Sequence, residues 1–250
     1  MEIRLNPPLF LNEKGKRENN EDSIFPMPGK ATAADRLFIV CDGVGGSTKG
    51  EVASRLACDS FSGYFAKHEI QLGEAWILEA FDYTQNQFDE YLLHETAARG
   101  MGTTLVLMQI HEQGLNVAHC GDSRFYHFRK NRIIWQTFDH SMTNELVRQG
   151  LISAEEAALR PKSNRISRAI QGYSVHKSKP DIHFINDIKG GDLFFLCSDG
   201  ILEAFSDAEL TDVLSSEQTL NEKMEIINQI CEANARDNFS AYLIEVDTVN

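Results

Sequence analysis

"LFIVCDGVGGSTKG" (37–50) is the stretch on which the reading of this chain turns. Leu37 to Cys41 form an unbroken apolar run, as in a strand buried on both faces. The run ends on an acid, Asp42, and passes into a glycine-rich turn with a Ser-Thr pair and Lys49. Such a loop after a strand raises the question of nucleotide binding, and the spacing answers it. A phosphate loop needs G-x-x-x-x-G-K-[ST], but the sixth residue counted from Gly43 is Thr48, and Lys49 is followed by Gly50. The dinucleotide pattern G-x-G-x-x-G fails as well, because Thr48 stands where its third glycine belongs. What remains is a carboxylate at a strand end, with Gly45 and Gly46 letting the chain turn tightly beside it and Lys49 on the surface of the helix start.

The same design recurs. "FFLCSDG" ends an apolar run on Asp199-Gly200, and Asp122 in "CGDSR" follows another strand. Asp237 in "ARDNFS" stands just before the last strand, and Glu21-Asp22 in "RENNEDS" lie near the N-terminus. One strand-end aspartate is ordinarily a turn residue or a helix cap. Several meeting at one rim of a sheet would repel one another unless cations lay among them. Hard divalent ions with oxygen ligands, Mg²⁺ or Mn²⁺, suit an all-carboxylate set. No His or Cys pair has zinc-site spacing.

Around these acids the patterning is mixed. "GTTLVLMQIHE" and "GLNVAHCGDS" read as strands joined near Glu112–Gly114, and "RFYHFRKNRIIWQ" as a hairpin turning at Lys130-Asn131. "GDLFFLCSDG" and "FSAYLIEVD" are further strands. Apolar stripes predict helices over 51–65, over about 75–92 and around Leu220–Cys231, with a short helix capped by Asp207. The polar stretch from about Met142 to Lys179 reads as two short helices broken at Gly150, a candidate lid. Strict βαβα alternation is missing, which favours α+β layers over a Rossmann-type sheet.

The 250 residues fit within the ~250–300 that one core can serve, and no linker or repeat divides them. A net charge of -13 argues against nucleic acid and anionic membrane as partners. No apolar stretch reaches the ~18–20 residues that span a bilayer, and the N-terminus lacks signal-peptide features. The five cysteines, odd in number and mostly inside apolar runs, read as reduced, buried thiols of a cytoplasmic protein. None lies in a C-x₅-R loop, so cysteine-nucleophile phosphate chemistry is not expected.

"RENNED", "CDGVGGSTKGEVAS", "GTT", "GDSR", "DHS", "SDG" and "RDNFS" occur in this order between residues 12 and 247. Together they resemble the metal-dependent, type-2C family of Ser/Thr protein phosphatases, in a bacterial-like form. The resemblance implies a four-layer α-β-β-α sandwich of two antiparallel sheets flanked by helices. It implies one catalytic domain over 1–250, with a small flap subdomain at 142–179. It implies two Mn²⁺ or Mg²⁺ ions. Asp42 would bridge them, the Gly43 carbonyl would bind one, and Asp199 and Asp237 would ligate the other. Glu21 and Asp22 would act mostly through metal-bound waters. Asp122 and Asp199 would hold a third ion. Arg17 would grip the substrate phosphate with its planar fork, and Asn238 would orient neighbouring groups.

The implied reaction is hydrolysis of phosphoserine and phosphothreonine by a metal-bridged hydroxide. The implied partners are phosphorylated proteins and a cognate bacterial Ser/Thr kinase, met by a cytoplasmic monomer. Two alternatives stay open: a hydrolase of the same fold acting on non-protein phosphomonoesters, and an inactive phospho-binding or regulatory module. Val44 departs from the eukaryotic pattern, in which a histidine there is the proposed acid for the leaving group; a metal-bound water is the expected substitute. His119 and His140 are read as packing or hydrogen-bonding residues. In the flap, Arg160-Pro161 replaces a common His-Pro, and Lys162, Arg165 and Arg168 form either a solvated face or an attractor for phosphorylated peptides.

Overall fold

A computed structural model describes residues 2–44, 49–68, 73–130, 132–158, 166–173 and 177–250. In chain order the elements are β1 (Ile3–Leu5), β2 (Leu9–Glu13), β3 (Asp22–Phe25), β4 (Leu37–Val44), α1 (Gly50–Lys67) and α2 (Glu74–His94). There follow β5 (Gly102–Thr103), β6 (Leu105–His111), β7 (Gly114–Cys120), β8 (Arg124–Arg129), β9 (Arg132–Gln136), α3 (Met142–Arg148), α4 (Ala154–Ala158), β10 (Ile170–Gln171) and β11 (Asp181–Ile185). The chain ends with β12 (Leu193–Cys197), α5 (Asp199–Ala204), α6 (Asp207–Ser215), α7 (Leu220–Asn234) and β13 (Phe239–Val249).

The strands form two antiparallel sheets. One runs β1-β13-β12-β8-β9, with β2 also on β13; the other runs β10-β5-β4-β6-β7-β11, with β3 also on β4. Side chains alternate across each strand, and that alternation builds the layers. From β4, Phe38 and Val40 face the space between the sheets, where they join Val106, Met108, Phe125, Phe194, Leu196, Tyr242 and Ile244. Ile39 and Cys41 face the other way and pack with Ala53, Ala57, Phe61, Ile77 and Phe81 of α1 and α2. On β13, Ala241 and Leu243 turn outward to Ile201, Leu210, Ile227 and Cys231 of α5–α7. Two sheets with helices on both outer faces make the four-layer sandwich. A fully buried Phe such as Phe38 or Phe194 is worth about 3–5 kcal/mol against alanine, so the inter-sheet layer firmly fixes how β4 lies over β12.

Several expectations change. The short helix is capped by Ser206, not Asp207: Ser206 and Glu209 form a reciprocal capping box, and Asp207 is the first helical residue. Serine wins because its Oγ accepts the Glu209 N–H while Glu209 accepts both the N–H and the O–H of Ser206. The helix also follows α5 rather than a strand. The break at Gly150 is present, with φ +70 between α3 and α4. Lys130 turns the β8–β9 hairpin at φ 47, whereas Asn131 lies outside the described residues. The Gly45-Gly46 turn and Arg160, Pro161, Lys162 and Arg165 lie outside them too. All five cysteines are buried free thiols.

Candidate metal centre

The acids converge at the rim where β4, β3, β7, α5 and the start of β13 end side by side. Asp22 and Asp42 are direct partners in the β3–β4 ladder. Asp42 donates its N–H to Thr104 Oγ1 at 3.0 Å, and its carbonyl accepts from the Thr103 hydroxyl at 2.9 Å and the Thr104 N–H at 2.8 Å. Thr104 in turn shares a 2.7 Å hydrogen bond with Ser123, next to Asp122. Asp199 begins α5 directly after β12, where a carboxylate also faces the positive end of the helix.

Asp42 and Asp199 also act on each other, their mutual interaction raising Asp42 and lowering Asp199. Burial, then the charges of Asp199, Asp22 and Asp122, push the Asp42 carboxyl well above the usual carboxylate range. Burial raises Asp199 as well, with Asp237 and Glu203 adding to it against the hydrogen bond from Asp42. Asp122 rises from 3.8 to about 7 through burial, then the charges of Asp199 and Asp139. Asp22, 6 % exposed, also rises to about 7 through burial, although Ser198 Oγ donates to it at 2.7 Å. Burial and then Glu51 raise Glu21.

This is the electrostatic signature of carboxylates packed for a cation. The donor set fits a hard divalent ion: it is all oxygen, anionic and crowded. The backbone makes room in the same place. Gly43 and Gly50 approach so closely that a Cβ on Gly43 would strike the Gly50 backbone. A Cβ on Gly50 would sit 2.9 Å from Glu21 Oε2 and 3.0 Å from the Gly43 carbonyl. Glu21 and that carbonyl therefore share one small cradle beside Asp42.

Asn238 ties the N-terminal loop to this rim. Its Oδ1 accepts the Glu21 N–H at 2.8 Å, and its Nδ2 donates to the carbonyls of Lys14 at 2.7 Å and Asn19 at 2.8 Å. Arg17, on that loop, donates from Nη2 to Asp237 Oδ2 at 2.6 Å with its side chain 56 % exposed. The Asp237 hydrogen bond, then its charge, raises the guanidinium pKa further. Glu203 accepts the N–H groups of Arg236 at 2.8 Å and Asp237 at 3.2 Å and holds the turn before β13.

Asp42, Gly43, Asp199, Asp237, Glu21, Asp22, Asp122, Arg17 and Asn238 thus lie around one rim. Sequence reasoning missed the hydroxyls that orient the acids, Thr104, Ser123, Ser198 and Ser240, and it missed Glu203. Thr104 sits in "GTT", Ser123 in "GDSR" and Ser198 in "SDG", so proximity to the acids was their one available signal. Arg168 behaves differently from the attractor reading: it is 26 % exposed and bonded to Asp181 at 2.7 Å, so its charge is neutralised internally.

Comparison with known proteins follows the same lines. The family model described as Protein phosphatase 2C matches residues 12–239. The serine/threonine phosphatase stp of Listeria welshimeri is 32% identical over 244 residues, covering 94% of each chain. The crystal structure of the serine/threonine phosphatase PstP/Ppp of Mycobacterium tuberculosis superposes with a TM-score of 0.83 at 27% identity, covering 98% of this chain and 99% of the other. The catalytic domain of PstP in complex with 2 manganese ions gives 0.79 at 27% identity, covering 98% of this chain and 100% of that one.

Proposed function

The chain belongs to the protein phosphatase 2C family, and from that premise we propose that it is a metal-dependent protein phosphatase acting on phosphoserine and phosphothreonine. The observation that carries the reading is the convergence of acids from separate elements: Asp22 and Asp42 are partners in the β3–β4 ladder, and burial together with the charges of Asp199 and Asp122 raises Asp42. Asp42, the Gly43 carbonyl, Asp199 and Asp237 would hold two Mn²⁺ or Mg²⁺ ions, with Glu21 and Asp22 behind them. Asp122 and Asp199 would hold a third. When bound, such ions supply Lewis acidity, neutralise phosphoryl charge and lower the pKa of water.

The chain's own residues do the rest. Arg17 is exposed enough to turn its fork from Asp237 to a phosphoryl oxygen, giving a planar, charge-assisted contact. Asn238 fixes the loop that presents Arg17 and Glu21. The Thr104 hydroxyl and the Ser198 hydroxyl hold Asp42 and Asp22 in position. Val44 has no proton to give, so the leaving serine or threonine oxygen takes its proton from solvent within the site. The whole chain serves as one catalytic unit, with 142–179 as a flap beside the rim. The cellular role is reversal of a Ser/Thr kinase's signalling, by a monomer in the cytoplasm. The charge of -13 weighs against nucleic acid and anionic membrane as partners, and no helix among the described residues is long and apolar enough to cross a membrane.

A panel of p-nitrophenyl phosphate, a phosphodiester analogue and phosphothreonine peptides, each with Mn²⁺ and with chelator, tests the reading. Mn²⁺-dependent release of phosphate from the peptides is expected. No turnover of any of them with Mn²⁺ would overturn the enzyme assignment, and turnover of the small ester alone would move it to a non-protein substrate.

A further inference from the structure

The turn that carries Asp122 is clamped from both sides by two consecutive residues of the "DHS" segment. On one side, His140 pairs reciprocally with Gly121: its N–H donates to the Gly121 carbonyl at 2.9 Å, and its Nδ1 accepts the Gly121 N–H at 3.1 Å. On the other, Arg124 gives Asp139 a bidentate pair of hydrogen bonds, both 2.7 Å. Asp122 lies between the clamps. Gly121 has φ +114, and a Cβ there would sit 2.6 Å from Thr104 Cγ2, so the turn is pressed onto the residue that also bonds the Asp42 N–H.

The His140 ring is fixed by its surroundings. It is 2 % exposed and stacks on His119 at 4.5 Å with 15° between the planes. Because Nδ1 accepts a backbone N–H, the ring proton of the neutral imidazole belongs on Nε2. Asp181 Oδ2 lies 3.2 Å from Nε2, off line for a well-formed hydrogen bond. Arg168 and Arg148 hold Asp181 at 2.7 Å and 3.0 Å.

Ligand atoms of His119, His140 and Asp181 all lie within 4.8 Å of one another, which invites a metal-site reading. The stacking opposes it. Near-parallel rings 4.5 Å apart keep their nitrogen lone pairs in separate planes, so both cannot reach one ion at about 2.0–2.1 Å. The two arginines already satisfy Asp181.

We propose instead that His140 is a positioning residue for Asp122: its Nδ1 lone pair holds the Cys120-Gly121 peptide at the start of the turn, and so sets Gly121 and the following Asp122 so that the carboxylate faces Asp199. This rests on the reading of Asp122 as a ligand, and it is separable from it. Groups that hold a ligand in place typically govern metal affinity by 10–100-fold.

The test is calorimetric Mn²⁺ binding by the full chain, with Asp122→Ala as the reference for the site in question. His140→Ala should weaken the site lost in Asp122→Ala by about 10-fold or more and leave the other sites within about 3-fold. His140→Asn, whose Oδ1 takes the place of Nδ1, should restore affinity to within about 3-fold, and His140→Gln, which reaches toward Nε2, should not. The Asn-against-Gln comparison stands even if the alanine variant fails to fold, and a residue that only filled space would not separate the two. Unchanged binding in His140→Ala, uniform weakening of all sites, or rescue by Gln rather than Asn overturns the positioning role while leaving Asp122 a ligand. An isotherm unchanged by Asp122→Ala overturns both readings.

Discussion

Replacing Asp22 with asparagine should stabilise the metal-free protein, increasingly so as pH rises. Asp22 is 6 % exposed and accepts the Ser198 O–H at 2.7 Å. Burial is the main cause of its rise from 3.8 to about 7; the hydrogen bonds of Ser198 and Ser240 oppose it, and the charges of Asp199 and Asp237 add to it. A carboxyl whose folded pKa is raised keeps its proton in the folded state where the unfolded chain has lost it. Its stabilising contribution is therefore present at low pH and is lost as pH climbs to the folded value. Between about pH 5 and the folded value lie about two units, worth roughly 3 kcal/mol at 1.36 kcal/mol per unit. Water entry and relaxation around the buried charge reduce this to about 1–2 kcal/mol. For a chain of this length that is about 3–6 °C in Tm.

Asparagine keeps the shape and the acceptor for Ser198 but carries no charge. The gap between the thermal melts of metal-free wild type and Asp22→Asn should be smallest below pH ~4 and should widen by about 3–6 °C between pH ~5 and pH ~8, with the variant higher. Burial lowers the pKa of both His119 and His140, the latter to about 4. These rings act in the opposite sense, since the unfolded imidazole takes up protons first as pH falls, and their effect cancels in the difference between the two proteins. Saturating Mn²⁺ should abolish or reverse the gap, because metal binding adds stability to the wild type by mass action. A gap that does not grow with pH refutes the claim that these acids are crowded at a cost that a cation relieves.

Other perturbations reach the neighbouring parts of the site. Asp199→Ala and Asp237→Ala should each lower Mn²⁺-dependent activity by about 100-fold or more while circular dichroism shows an intact fold; near-wild-type rates in either would displace it from the ligand set. Asn238→Ala deletes three hydrogen bonds to Glu21, Lys14 and Asn19, an expected loss of about 3 kcal/mol in denaturant unfolding. Asn238→Asp, which keeps only the acceptor for the Glu21 N–H, should recover part of that loss. Arg17→Lys should raise KM for a phosphothreonine peptide by about 10-fold with a smaller change in kcat, because lysine keeps the charge but not the planar fork; equal KM values would remove Arg17 from phosphate binding.

The features legible in the sequence were those with strong local signals. Leu37–Cys41 and Leu193–Cys197 are buried on both faces, so their apolar runs stand out, and each run is followed within two residues by an acid of the rim, Asp42 or Asp199. The stripes of α1, α2 and α7 were equally plain. The strands β1, β2, β3 and β11 were not, for physical reasons. β1 has 3 residues, and β2 borrows its order from the long β13. β11 is an edge paired only with β7, and Ile185 is its one buried residue, so its pattern carries little burial. The supporting hydroxyls were hidden because serine and threonine at strand ends are common, and only the fold shows Ser198, beside Asp199 in sequence, donating to Asp22 instead. Asp181 was invisible for a related reason: its three partners, His140, Arg148 and Arg168, come from separate segments.

The central claim is that the Asp42 rim binds the divalent cations on which phosphate release depends. The most direct measurement is phosphate release from a phosphothreonine peptide across a Mn²⁺ titration, for wild type and for Asp42→Asn, whose fold is first verified by melting. The account predicts a saturable rise with Mn²⁺ in the wild type and a rate near background in the variant at every Mn²⁺ concentration. Metal-independent turnover by the wild type, or a variant that follows the wild-type curve, would contradict it.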